Sequence, residues 1–155
     1  MIYLKFIMLF IIAHVVSYTV AGNIALPFSK DIYEHKDRVC DFLRDMADSK
    51  ERNHVEKHFF PAQILRGFLM GIVLLPLLSD IKNHTFITQF IFLNSLMFIY
   101  TDISSTSPFI SNIEGQVYFK KEYLVKGFFF KFQFEMLMYS ILFGLIMTLF
   151  LHFFI

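Results

Sequence analysis

Tryptophan is absent from this chain and cysteine occurs once. The single thiol, Cys40, excludes an intrachain disulfide and a paired-cysteine redox or metal motif. Without Trp, any aromatic belt at a membrane surface must be made of Tyr and Phe. Charge is also scarce: Asp, Glu, Lys and Arg make up 17% of the residues and nearly cancel, to a net +1, which removes the electrostatic case for a nucleic-acid partner. No glycine-rich phosphate loop occurs.

What is present is hydrophobic. Apolar residues make up 56% of the 155, with 22 Phe among them, against roughly 45 to 50% in a soluble domain. They cluster into long runs instead of recurring at amphipathic spacing, and each run approaches the length needed to cross about 30 Å of hydrocarbon. The chain is therefore expected to be an all-α polytopic membrane protein of one integral domain, residues 1–155. Its four transmembrane helices are expected near 2–26, 59–78, 86–103 and 125–155. This layout leaves no room for a separate soluble catalytic domain.

The first run carries Lys5 and the small pair Ala21 and Gly22, a pattern shared with cleaved signal peptides, but a retained span is expected. His14 and Ser17 interrupt its centre, where a neutral histidine bonded to a neighbouring helix is the simplest outcome. Residues 27–58 then hold seven of the fourteen basic and eight of the thirteen acidic side chains, so they belong outside the hydrocarbon. Within them Ile32, Val39, Phe42, Leu43 and Met46 recur at helical spacing and predict an amphipathic helix over 31–48, lying on the membrane surface or against the bundle.

The second run opens with Phe59 and Phe60 at the interface and Pro61 where the first turn of a helix tolerates a missing donor. Gly67 and Gly71 in the same run would admit a closely packed neighbour. In the third run Gln89 and Asn94 should face other helices, because an amide against lipid is poorly satisfied. Between 104 and 123, Pro108, Asn112 and Gly115 break a continuous helix, while Phe109, Ile110 and Ile113 resist full exposure. A compact loop packed on the end of the bundle is expected there. Lysine and arginine concentrate in the two long connections, which predicts a location in the cell inner membrane or plasma membrane. Both connections then lie on the cytoplasmic side and both termini outside the cytoplasm.

The polar residues near the helix ends form the candidate site: Gln63 and Arg66 in the second run, Asp102 closing the third, Glu114 in the loop and Glu135 in the fourth. In this topology all approach the same half of the bundle. Charges in hydrocarbon need partners, water or a ligand, so Arg66 is expected to pair with at least one of the three carboxylates. The same residues could instead line a polar recess, with Arg66 holding an anionic group through directed hydrogen bonds and a carboxylate acting as base or cation contact. No nucleophile with an activating neighbour completes a reaction site.

His54 and His58 stand four residues apart and are a weak metal-ligand pair, with Glu51 one turn earlier. Val55 occupies the place where a zinc protease has glutamate, and Lys57 opposes a cation. An interfacial solvated pair is the reading preferred. The order Asn53, Glu56, Phe60-Pro61 ahead of the second run resembles the membrane-associated eicosanoid and glutathione metabolism proteins, whose likeness implies a trimer with a site for a thiol tripeptide. The likeness covers fewer than ten residues. Here the proline comes two positions late and Val39-Cys40-Asp41 does not continue the family's motif.

The sequence thus predicts a small multi-pass membrane protein, a non-catalytic component that is oligomeric or partner-bound and surrounded by membrane lipids. The alternative is a lipid-modifying enzyme or small-solute carrier built around Arg66 and Glu135. No cofactor is expected.

Overall fold

The computed structural model describes residues 1–34, 38 and 40–155. The described residues are all helical or irregular, and four helical stretches are long and apolar enough to cross a membrane: Ile2–Phe28, Ser49–Asn83, Phe86–Ile103 and Lys126–Phe154. The first consists of α1, Ile2–Ala25, with a 3₁₀ turn at Leu26–Phe28. A short α2, Lys30–Tyr33, follows. The second stretch consists of α3, Ser49–Leu74, a 3₁₀ turn at Leu75–Leu77 where Pro76 lies, and α4, Leu78–Asn83. Next come α5, Phe86–Ser95, continued by a π-helical segment at Leu96–Ile103, then α6, Ile113–Tyr118, and α7, Lys126–Phe154.

Two sequence expectations are corrected. Of the amphipathic helix expected over 31–48, the described residues show the single turn of α2 at its start and turns from Cys40 to Asp48, while Val39 lies outside the described residues. Helical spacing of Ile32, Leu43 and their neighbours reflected burial in one cluster, which turns can also achieve. Second, α3 starts ten residues before Phe59, so Pro61 lies inside the helix. The start is set by Asp48, whose carboxylate accepts from the backbone N–H of Lys50 at 2.8 Å and of Glu51 at 3.0 Å. These are donors that a helix's first turn otherwise leaves unpaired. The beginning of an apolar run marks where hydrocarbon can begin, and a helix can project past it into water.

The bundle is ordered α3, α1, α7, α5, each packed on the next. Phe6, Phe10, Ala13 and Ala21 of α1 are enclosed with Leu74, Leu93, Tyr139, Phe143 and Met147. Small residues set the spacing. A Cβ on Gly67 would lie 3.0 Å from the Ile11 Cα, and one on Gly71 would touch the Phe10 ring at 3.5 Å, so these glycines admit α1 as the close neighbour. Gly144 does the same between α7 and α5, where Asn94 packs. Gln89 gives its amide hydrogens to carbonyls of Ile81, Lys82 and His84 at 3.1, 3.2 and 3.1 Å, satisfying acceptors left by the end of α4.

Both long connections meet over one end of the bundle. Ile32 and Cys40 from the first and Ile110 from the second are buried with Phe128 and Phe132 of α7. Lys131 clamps this cap by donating to both Asp31 oxygens at 2.6 Å. Asn112 caps α6 by accepting from Gly115 N–H at 2.8 Å, and its carbonyl also receives the Phe109 N–H at 3.0 Å. Burial pushes the Cys40 thiol up to about 11.

Gly67→Val should lower bundle stability by about 1 to 3 kcal/mol through overpacking against α1, whereas Gly127→Ala, where an added Cβ meets nothing within 4 Å, should be neutral or slightly stabilising; thermal unfolding in detergent compares them. Since the thiolate is the reactive form and Cys40 is both enclosed and held protonated near neutral pH, maleimide at pH 7.5 should leave the native protein unlabelled and modify it fully after denaturation. Rapid native labelling would contradict the closed cap.

Candidate functional site

A polar layer crosses the bundle about two helix turns below Phe132 of the cap. His14 is fully buried. Its Nδ1 lies 2.8 Å from the Tyr139 hydroxyl and its Nε2 3.1 Å from Gln63 Oε1. An amide oxygen can only accept, so Nε2 carries the proton and Nδ1 accepts from Tyr139. The neutral histidine expected from the sequence is thus satisfied by α3 on one side and α7 on the other. Gln63 belongs to this layer. Tyr18, one turn along α1 from His14, packs edge-on to the Tyr139 ring with centroids 5.6 Å apart.

Arg66 lies on the next turn of α3 and places its guanidinium 5.6 Å from the Tyr18 ring centroid, a cation–π arrangement. Among the described residues the ion pairs are Arg38–Asp45, Arg52–Glu56, Lys120–Glu122 and Lys131–Asp31. Arg66 therefore makes none of the pairings expected for it.

Asp102 falls in the π-helical segment, where the Ser104 N–H reaches the Ile99 carbonyl at 2.8 Å. The wider turn carries Asp102 inward, where it is 8% exposed. Its carboxylate accepts from the Ser111 hydroxyl at 2.7 Å and the Gln133 amide at 3.3 Å, and Gln133 also donates to the Ser111 carbonyl at 2.5 Å. These donors are neutral, so the carboxylate is held in place without a bonded countercharge. Glu135 is half-buried on α7, facing the Tyr33 hydroxyl from α2 and the open Cα of Gly22. Burial, and then the Glu135 carboxylate beside it, hold the Tyr33 hydroxyl well above the usual tyrosine range, so it remains a donor at neutral pH.

Arg66, Asp102 and Glu135 border one cavity of about 450 Å³, together with Tyr18, Tyr33, Ser111 and other residues of the second connection. That size suits a small ligand. Arg66 is exposed and Asp102 buried, so the cavity leads from an accessible cationic rim to an enclosed carboxylate. Glu114 is half-buried in the first turn of α6 and does not line this cavity. His54 and His58 are exposed, their rings 4.3 Å apart, with His58 Nδ1 2.8 Å from the His54 carbonyl. Glu51 is engaged by the Asp45 N–H, and among the described residues no group of three His, Cys, Asp or Glu side chains is placed to hold a metal.

Tyr18, Tyr33 and Ser111 are among the lining residues that sequence reasoning did not single out. The spacing His14 to Tyr18 offered a signal, since residues four apart share a helix face, but an interfacial tyrosine reads equally well as a membrane anchor. No family model matches the chain, and no curated protein or solved structure matches it either.

Gln63→Leu, which leaves the buried His14 N–H without an acceptor, should cost about 1 kcal/mol or more and lower the thermal midpoint. The exposed neighbour Ile64→Leu should leave it unchanged, and equal midpoints for the two variants would contradict the bonded layer.

Proposed function

We propose that this chain is a multi-pass membrane protein that binds a small zwitterionic or cationic group within the bilayer, as a carrier or binding component. In this reading the four long helices cross an inner or plasma membrane, the two long connections face the cytoplasm, and both ends of the chain face away from it. The positive charge of the connections supports that orientation.

One observation carries the binding reading: Arg66, Asp102 and Glu135 share a cavity of about 450 Å³, and no ion pair joins them among the described residues. A polar cluster serving only to hold helices together gains most from direct pairing, because an unpaired charge away from water costs several kcal/mol, roughly, in desolvation. Separated charges around an open volume are satisfied instead by what enters it. Two carboxylates face one guanidinium, so the recess favours a guest with an ammonium group, and Arg66 favours one that also carries an anion. The Ser111 hydroxyl and the Gln133 amide are already spent on holding Asp102, which keeps that carboxylate oriented for recognition.

Binding of glycerophosphoethanolamine, ethanolamine and choline to the purified protein in nanodiscs tests this. Asp102→Asn and Glu135→Gln should each weaken the best of these probes about tenfold or more, Glu135→Gln with little change in thermal midpoint. Absence of binding by all three probes, or undiminished binding in the double variant, would overturn the reading.

A further inference from the structure

The recess does not end in polar surroundings. Thr101 on its wall also lines a second cavity of about 300 Å³, bordered by Leu69 and Val73 of α3 and by Leu96 and Tyr100 of the π-helical segment. This slot exists because of the packing order: α3 packs on α1 and α5 packs on α7, leaving a seam between the outer two. Val73 is 72% and Tyr100 74% exposed, so the seam opens sideways, toward the lipid in a membrane.

The polarity changes along one direction. From Arg66 to Val73 the chain advances about 10 Å along α3, away from the capped end. On the facing segment Asp102 gives way to Leu96 in the same sense. Charged groups therefore stand nearer the capped end and apolar walls nearer the middle of the bundle, which is the polarity of a lipid in the leaflet on the capped side. A second apolar cavity beside Tyr18 and Glu135 is lined by Met46, Val55 and Glu56. It runs toward the polar connection, the wrong direction for an acyl chain.

Resting on the binding function proposed above, we propose that the guest is a zwitterionic phospholipid with a primary ammonium group. Its phosphate lies at Arg66, its ammonium between Asp102 and Glu135, and one acyl chain in the seam between α3 and the π-helical segment. The phosphate takes the exposed guanidinium at the rim, where Arg offers paired donors. The compact ammonium reaches the enclosed carboxylates beyond it. The chain's apolar surface then covers Leu69 and Val73.

The test compares phosphatidylethanolamine, phosphatidylglycerol and glycerophosphoethanolamine on the full protein in detergent, by native mass spectrometry and competition. Phosphatidylethanolamine should bind at least about tenfold tighter than glycerophosphoethanolamine and at least about tenfold tighter than phosphatidylglycerol. Val73→Trp, which fills the seam at an exposed position, should remove the gain over the headgroup alone and leave glycerophosphoethanolamine binding unchanged. Because the natural chain has no Trp, Tyr100→Trp gives a second readout: brominated phosphatidylethanolamine at low mole fraction should quench its fluorescence more than brominated phosphatidylglycerol does. If the headgroup binds but acyl chains add nothing and Val73→Trp has no effect, the lipid assignment fails while the binding site stands. Preference for phosphatidylglycerol defeats the zwitterionic assignment, and a dimer abolished by Val73→Trp without bound lipid makes the seam an interface instead. If neither lipid nor headgroup binds, both readings fail.

Discussion

The approach of α3 to α1 is limited by Gly67, where an added Cβ would come within 3.0 Å of the Ile11 Cα. At that separation Gln63, one turn earlier, can reach His14, and the histidine's other nitrogen can be met by Tyr139 of α7. A larger residue at 67 would push α3 outward and strand a donor in the apolar interior, where it has no water to turn to. Close packing and polar satisfaction are thus one constraint. The His14 layer ties the three helices α3, α1 and α7 at one depth, and Arg66 and Glu135 stand one turn from it on their own helices.

That tie also explains why the bundle is open on one side. With α1 held against α3 and α7, and α5 held against α7 through Gly144, the outer helices α3 and α5 have no comparable close contact. The recess and its apolar extension occupy the resulting gap. At the capped end the gap is roofed by residues of the second connection, among them Ser111, and by the wide turn that carries Asp102 inward. π-Helical turns recur at functional sites because they re-aim side chains that regular helix would direct elsewhere, and Asp102 is such a case.

Arg66, Asp102 and Glu135 were legible as a group because each interrupts or ends an apolar run at a similar depth. Their relation was not. The same sequence pattern fits a guanidinium bonded to a carboxylate and a guanidinium facing one across a cavity, since a few ångströms of helix placement separate the two. Gln63 shares a helix face with Arg66 yet serves His14, and Glu114 shares the capped end yet lies off the cavity. Tyr18 and Tyr33 escaped notice because a tyrosine near a helix end is equally at home in an interfacial belt.

Composition and run length by themselves determined the all-helical class, the number of long apolar helices and the separation of a charged first connection from them, because these depend on the local cost of placing a side chain in apolar or aqueous surroundings. The sequence also carried the small-residue face of α3. Tertiary structure alone decided that the described residues from Cys40 to Asp48 run through turns and that α3 and α5 leave a seam. Those outcomes turn on contacts between residues distant in the chain, such as Ile32 with Ile110 and Phe128, whose free energies outweigh the local preferences that spacing can report.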